Sequence, residues 1–190
     1  MGLHMKVVSI VGMTGAGKSE VARLFEKNGF TRIRFGDVTD GEVKKRGLEL
    51  NEANERTVRE RLRQELGMVA YAKLNLPRID AALKSGDVVI DGLYSWEEYL
   101  FLKDYYGESF CVVAVWASPK TRHTRLTGRR ERPLTLVEAA SRDRAEIENL
   151  NKSGPIAVAD FTIDNESSLE SLREAAKIII GKVRNGKKDN

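Results

Sequence analysis

The feature that most constrains this chain is a glycine-rich segment placed between a predicted strand and a predicted helix. Residues 12–19 read Gly-Met-Thr-Gly-Ala-Gly-Lys-Ser and match the phosphate-loop pattern GxxxxGK[ST]. The apolar run 6–11 precedes the loop, and Val21 and Leu24 follow it at helical spacing. Because the pattern occurs between a strand and a helix, it predicts an anion-binding loop rather than a chance glycine turn.

Each residue type in this loop has a physical role. The glycines let successive backbone N–H groups face an anion, and the following helix N-terminus adds partial positive charge. Lys18 is expected to reach the β- and γ-phosphates, and the Ser19 hydroxyl is expected to bind Mg²⁺. The predicted nucleotide ligands of the loop are Gly12, Met13, Thr14, Gly15, Ala16, Gly17, Lys18 and Ser19. The chain is therefore predicted to bind ATP with Mg²⁺.

Length and composition favour one domain. The chain has 190 residues, 41% hydrophobic and 32% charged, so we expect a single domain over residues 1–190. The lone cysteine, Cys111, cannot form an internal disulfide, which favours a reducing, cytoplasmic location. No apolar run approaches the ~20 residues of a membrane span, and no signal peptide is expected. The net charge of +4 favours anionic ligands but does not by itself indicate nucleic acid.

Strand and helix patterns alternate along the chain. After the strand at 6–11, further strands are predicted at 31–35, 87–90, 110–116 and 160–163. Helices are predicted at 20–28, 37–47, 51–67, 69–84, 95–106, 119–127, 134–149 and 168–183. The alternation indicates an α/β fold in which helices cover both faces of a parallel sheet.

An acidic residue ends the third predicted strand. Asp91 follows the apolar run 87–90 and precedes Gly92. Because the carboxyl ends of parallel strands line the ligand crevice, Asp91 is expected to face the phosphate loop and to hold Mg²⁺ with Ser19. The alternative is an Asp-Gly turn without chemistry.

Seven arginines are grouped within residues 122–144. The group consists of Arg122, Arg125, Arg129, Arg130, Arg132, Arg142 and Arg144. Guanidinium groups are suited to bind a phosphoryl group in transfer, so a basic lid at about 126–136 is predicted to close over the triphosphate. Arg125 and Arg129 are the predicted catalytic members and Arg142 is a further nucleotide ligand, whereas a solvated helix face is the alternative.

These features together resemble the adenylate-kinase-related, dephospho-CoA-kinase-like proteins of the nucleoside monophosphate kinase group. The resemblance rests on the loop at 12–19, Phe35-Gly36-Asp37, Asp91-Gly92, the arginine-rich turn, and the segment from Ala159 to Glu166. It implies a P-loop NTPase three-layer fold whose five-stranded parallel sheet has the order 2-3-1-4-5. It also implies a helical acceptor-binding insert at about 37–84 and an arginine lid. Asp37 follows a predicted strand and is the expected catalytic residue that orients the acceptor, or accepts its proton if the acceptor is a hydroxyl.

Two positions depart from that family pattern. Asp40 and the Asp-Gly-Leu-Tyr94 turn stand where relatives carry arginines that meet the acceptor phosphate. Arg59 and Arg63, four residues apart on one predicted helix face, could supply this charge instead, although a solvated face explains them equally well. AMP is therefore expected to be a poor acceptor.

Three function classes remain open at this point. The favoured one is an ATP-dependent kinase that transfers the γ-phosphoryl group to a small, nucleotide-like acceptor such as a nucleoside monophosphate or dephospho-CoA. The alternative is a nucleotide-binding switch or regulatory ATPase, although residues 151–154 lack the final acid of a guanine-reading signature. A nucleic-acid partner is disfavoured because no aromatic-interleaved basic surface is predicted. No membrane partner is expected, and the acceptor and the oligomeric state are left open.

Overall fold

A parallel sheet forms the centre of the computed structural model, which describes residues 5–130 and 133–186. Its strands in the described residues are β1 (Val7–Val11), β2 (Thr31–Arg34), β3 (Val88–Asp91), β4 (Phe110–Trp116) and β5 (Phe161–Asp164). They pair in the order β2-β3-β1-β4-β5, and every neighbouring pair is parallel. The predicted P-loop three-layer fold and its strand order are confirmed.

Helices connect successive strands. They are α1 (Lys18–Lys27), α2 (Asp37–Lys45), α3 (Glu52–Leu66), α4 (Ala70–Leu83), α5 (Trp96–Tyr106), α6 (Pro119–Thr127), α7 (Leu136–Glu148), α8 (Ser153–Ala157) and α9 (Leu169–Arg184). A short 3₁₀ helix, Gly107–Ser109, follows α5. Among these described helices, none is long and apolar enough to cross a membrane.

Most helix boundaries agree with the sequence patterns within one residue, although α1 begins at Lys18 instead of 20 and α2 ends at Lys45 instead of 47. Two further differences have a local cause. The helix predicted at 134–149 begins at Leu136, because Thr135 and Glu138 form a capping box that fixes the start. The sequence pattern missed α8, because this five-residue helix contains Gly154 and Pro155 and resembles a turn. Helices α2, α3 and α4 occupy the segment predicted as an acceptor-binding insert, and that assignment stays a prediction.

The central strand is buried on both faces. Val7 and Val11 face a core that includes residues of α3, α4 and α5, whereas Val8 and Ile10 face a core with α1 and α9. This burial matches a continuous apolar strand between two helical layers. All four side chains are fully buried, so β1 is held rigidly and presents its carboxyl end to the loop that follows.

Two glycines let that loop pack closely against its neighbours. Gly12 has φ +150, and a Cβ there would collide with the carbonyl oxygen of Val115 on β4. Gly17 has φ +103, and a Cβ there would collide with the amide of Asn165 after β5. Side chains at these positions would push the loop away from the sheet, so the glycines also fix its position.

A buried carboxyl group lies at the start of α5, below the cleft side of the sheet. Glu98 Oε2 accepts from the Tyr94 backbone N–H (2.9 Å), and the Glu98 backbone N–H donates to Ser95 Oγ (3.1 Å). Glu98 is completely buried, and its Oε1 has no hydrogen-bond partner among the described residues. Burial raises the pKa of Glu98 to about 7, although the Tyr94 N–H and the nearby Arg63 charge favour the anion.

This raised pKa gives a prediction about stability. The folded state keeps the Glu98 proton up to about pH 7, whereas the unfolded chain releases it near its ordinary value. Stability should therefore be lost as the pH rises from about 4.5 to about 7, by roughly 3 kcal/mol from this group. Urea unfolding should show that the free energy of unfolding falls more between pH 5 and pH 8 for the parent protein than for the Glu98→Gln variant. An equal loss in both proteins would contradict this account.

Candidate active site

The phosphate loop surrounds its own lysine. The Ala16 backbone N–H and Lys18 Nζ both donate to the Met13 carbonyl, at 3.1 Å and 3.0 Å. Burial and the neighbouring Lys152 charge lower the pKa of Lys18 to about 7. A lysine held in this way is ready to exchange the Met13 carbonyl for a stronger anionic partner. Its role as a phosphate ligand stays a prediction.

The loop opens into a cleft of about 1100 Å³. One wall consists of the loop and α7, and the opposite wall consists of α3 with the connection from β2 to α2. Lys18, Ser19 and Asp91 line the first part of the cleft, whereas Arg34 and Arg63 line the second. The volume exceeds that of an ordinary single-ligand pocket, so the cleft has room for a donor and an acceptor side by side.

Ser19 and Asp91 lie together as expected. Ser19 Oγ donates to Asp91 Oδ1 at 3.3 Å, and Arg32 on β2 forms an ion pair with Asp91 Oδ2. Mg²⁺ prefers oxygen ligands and commonly takes only one or two from the protein, with the rest from phosphates and water. The pair therefore fits a magnesium site, because Arg32 holds one carboxylate oxygen and leaves the other facing Ser19.

The predicted lid arginines occupy different environments. Arg129 and Arg142 line the cleft, and burial together with the Arg142 charge lowers the pKa of Arg129. Arg142 Nη1 lies 3.3 Å from Glu52 on the opposite wall. Arg132 lies outside the described residues.

Two other arginines of that group point elsewhere. Arg125 does not line the cleft: its Nη2 donates to the Asn165 carbonyl at 2.8 Å, on the other side of the loop. Its Nη1 is buried without a partner among the described residues. Arg122 is almost completely buried in a bidentate pair with Asp143 (2.6 and 2.7 Å), so it ties α6 to α7 and is structural.

The start of α2 brings an unpredicted arginine into the cleft. Arg34 Nη2 lies 3.0 Å from Asp40 Oδ2, and Arg34 Nη1 lies 3.5 Å from Asp37 Oδ1. Asp37 also pairs with Arg78 at 3.2 Å, and it does not line the cleft. Asp40 and Asp37 therefore both hold Arg34, and the role of Asp37 in orienting the acceptor stays a prediction.

The two arginines of α3 differ in how firmly they are held. Arg59 pairs with Glu52 at 2.6 Å and with Glu55 at 3.4 Å, on its own helix. Arg63 lies over the Tyr71 ring, 5.2 Å from the centroid, and its Nε has no hydrogen-bond partner among the described residues. Arg63 can thus accept an anion at smaller cost than Arg59, because it breaks no ion pair to do so.

Tyr94 fills the space beside the Asp-Gly turn. Its ring packs edge-on against Tyr71 (5.3 Å) and Phe35 (6.4 Å). A Cβ on Gly92 would lie 2.9 Å from the Tyr94 hydroxyl oxygen, so only glycine fits below the ring. Burial and the Asp91 charge raise the pKa of Tyr94, so its hydroxyl stays neutral. The tyrosine narrows the cleft beside Gly92.

Sequence reasoning missed a buried ion pair at the centre of the cleft. Lys152, between α7 and α8, is 1% exposed, and its Nζ lies 3.1 Å from Glu146 Oε1. The Glu146 carboxylate also accepts from the Thr14 backbone N–H (3.1 Å) and the Thr14 hydroxyl (2.5 Å). In the sequence, Glu146 is one member of a charged helix and Lys152 follows an Asn-rich turn, so no local pattern marks either residue.

The donor side of the site gives a direct prediction. Lys18→Ala should abolish ATP binding while leaving the fold intact, because Lys18 bonds only its own loop and contributes little to the core. Calorimetry with a non-hydrolysable ATP analogue tests the affinity, and circular dichroism tests the fold. Lys120→Ala, on exposed α6, is the matched control. Unchanged affinity in a folded Lys18→Ala variant would contradict the assignment.

Comparison with known sequences identifies a family. A family model described as an AAA domain matches residues 8–151. A UPF0200 protein of Thermococcus kodakarensis is 38% identical over 181 residues, covering 93% of this chain and 97% of the relative. A UPF0200 protein of Thermococcus gammatolerans is 39% identical over 184 residues, covering 95% of this chain and 96% of the relative.

Comparison with solved structures shows the fold. TT1252 from Thermus thermophilus has a TM-score of 0.66 at 22% identity, covering 94% of this chain and 98% of the other. Shikimate kinase from Acinetobacter baumannii has a TM-score of 0.59 at 18% identity, with 97% and 96% covered. Dephospho-CoA kinase from Campylobacter jejuni has a TM-score of 0.57 at 15% identity, with 95% and 98% covered. The chain therefore has a P-loop kinase-like fold.

Proposed function

The chain belongs to the UPF0200 family, and we propose that this member is an ATP-dependent kinase that transfers the γ-phosphoryl group to a small, nucleotide-like acceptor. The observation that carries the proposal is the cleft itself, which is lined by the phosphate loop on one wall and by arginines with their carboxylate partners on the other. A protein that only binds or hydrolyses a nucleotide has no need of the second wall. The structural likeness to shikimate kinase and dephospho-CoA kinase supports a kinase in general.

On the donor side, the roles follow from charge and position. Lys18 and the loop N–H groups would bind the β- and γ-phosphates, and Arg129 and Arg142 would approach them from the lid side. Ser19 and Asp91 would hold Mg²⁺, which supplies positive charge to the phosphate oxygens when it is bound. Arg142 must break its ion pair with Glu52 before it can bind a phosphate. Nucleotide binding would therefore remove this ion pair between the two walls of the cleft.

On the acceptor side, two arginines of the cleft are available to an anionic group. Arg34 is fixed by Asp40, and Arg63 has an Nε without a hydrogen-bond partner among the described residues, so these two arginines are the proposed ligands of an acceptor phosphate. The Tyr94 ring occupies the space beside Gly92. The proposed acceptor is therefore a nucleotide-like molecule that presents its phosphate at this wall and places its base away from the Tyr94 ring. That AMP is a poor acceptor stays a prediction, because these two arginines can supply the charge of the missing family arginines.

Two predicted catalytic residues gain no support from their contacts. Asp37 is held by Arg34 and Arg78 outside the cleft, and Arg125 bonds Asn165 behind the loop. Their roles in orienting the acceptor and in phosphate transfer stay predictions. A position in the dephospho-CoA-kinase-like subgroup is likewise part of the proposal, because the solved neighbours share the fold at low sequence identity.

An acceptor screen tests the proposed function. ADP formation from ATP and Mg²⁺ would be followed with AMP, CMP, UMP, dephospho-CoA, other phosphorylated metabolites and no acceptor. We expect at least one anionic acceptor to raise the rate at least tenfold over the acceptor-free rate, and AMP to rank low. Rapid, saturable use of AMP at micromolar concentration would contradict the acceptor assignment. Equal rates with and without every acceptor would favour the alternative, a switch or regulatory ATPase.

The acceptor wall gives a separate prediction. Arg34→Gln should lower kcat/KM for the acceptor by about 10- to 100-fold, because a lost charge-assisted phosphate contact costs on the order of 1.5–3 kcal/mol. The KM for ATP should change little, since Arg34 lies on the wall opposite the phosphate loop. Arg23→Gln is the matched control, because Arg23 pairs only with Glu20 on the surface of α1. An equal loss of kcat/KM for ATP and for the acceptor would show that the Arg34→Gln change acts through the fold.

A further inference from the structure

Lys152 is an unusual residue for a protein interior. It is 1% exposed, although an isolated buried ammonium group is strongly disfavoured. One carboxylate, that of Glu146, is its ion-pair partner, and its Nζ also lies 5.5 Å from the centroid of the Tyr94 ring. Lys152 nevertheless lines the cleft, so a ligand that entered the cleft would meet it.

The Glu146 carboxylate occupies an anion position of the phosphate loop. It accepts from the Thr14 backbone N–H (3.1 Å) and from the Thr14 hydroxyl (2.5 Å), both inside the loop. Lys152 Nζ is 3.1 Å from Glu146 Oε1, and Arg142 Nε is 3.7 Å from the same oxygen. Backbone N–H, hydroxyl, lysine and arginine are the donors that bind phosphate in loops of this kind. The Glu146 carboxylate thus binds the same donors that could bind a phosphate group.

Three cations act on this carboxylate. Lys152, Lys18 and Arg142 all act on Glu146, and despite burial they lower the pKa of Glu146 to about 2, so it stays ionised. Arg142 is also paired with Glu52, and Asp91 acts on Lys18. Lys152 nevertheless lowers the pKa of Lys18, because the two ammonium groups repel each other. A polyanion would relieve this repulsion between the two lysines.

We propose that Lys152 is a second phosphate-binding lysine that contacts the terminal phosphoryl group of the bound triphosphate, and that the Glu146 carboxylate competes with this phosphoryl group for Lys152 and Thr14. This inference rests on the proposed nucleotide site. In the ligand-free protein, the Glu146 carboxylate pairs with Lys152 at the loop and accepts the hydrogen bonds of Thr14. When the triphosphate enters, its oxygens replace the carboxylate at Thr14 and share Lys152 with it. The diphosphate has no terminal phosphoryl group at that place and gains little from Lys152.

The difference between triphosphate and diphosphate affinity tests this assignment. A single Lys152→Met change would leave Glu146 charged and unpaired in the interior, so the main variant is Glu146→Gln with Lys152→Met. We expect calorimetry with Mg²⁺ to show at least a tenfold weaker affinity for a non-hydrolysable ATP analogue and less than a threefold change for ADP. Lys120→Met is the matched control on exposed α6, and thermal melts check folding.

A second variant tests the competition by the Glu146 carboxylate. Glu146→Gln alone keeps Lys152 and removes the competing charge, so the ATP analogue should bind at least threefold tighter, while ADP affinity changes less. A weaker affinity for the analogue in folded Glu146→Gln would overturn the role of Glu146. An unchanged ratio of ATP-analogue to ADP affinity in the folded double variant would overturn the role of Lys152.

These measurements use no acceptor, so they separate this inference from the proposed kinase activity. If no acceptor raises the rate but the ratio of ATP-analogue to ADP affinity shifts as expected, the proposed kinase activity is refuted and Lys152 is retained as a triphosphate ligand. An active kinase with an unchanged ratio would refute only the role of Lys152.

Discussion

The close contact between the phosphate loop and the sheet is the constraint on which the rest of the structure depends. Gly12 meets the Val115 carbonyl and Gly17 meets Asn165, and neither position has room for a Cβ. Since β1 is buried between its neighbours β3 and β4, the loop cannot shift as a unit without disturbing the core. The backbone donors of the loop are therefore held in place before any ligand arrives, which lowers the cost of ordering them on binding.

Around this rigid loop, most charges of the cleft are balanced by partners that can be exchanged. Glu52 bridges Arg59 on its own helix and Arg142 on the opposite wall, and Asp40 holds Arg34. Such pairs keep the partly exposed arginines oriented without leaving their charge uncompensated. A phosphorylated ligand can replace the carboxylates as partner of the arginines. Binding would then exchange ion pairs within the protein for ion pairs between the protein and the ligand.

The sequence predicted most of the fold because its signals are local. Buried parallel strands appear as continuous apolar runs, and α7 begins where Thr135 and Glu138 form a capping box. The failure at α8 has the same origin: five residues with a glycine and a proline carry too little periodicity to distinguish a helix from a turn. In the candidate site, the local pattern predicted that Ser19 and Asp91 lie together, because Asp91 ends β3 and the loop with Ser19 follows the neighbouring β1 at the same edge of the sheet.

What the sequence determined by itself is thus the loop, the alternation of strands and helices, and the meeting of Ser19 with Asp91. The tertiary structure decided which of many charged side chains face the cleft. Arg34 enters it because Asp40 holds it, Arg122 is withdrawn from it by Asp143, and Lys152 is buried beside Glu146 and Thr14. In each case the partner that sets the side-chain direction is supplied by another element or by a turn of unpredicted geometry. Charge patterns along the chain do not encode such pairings, because the energy of an ion pair depends on distance and burial in space.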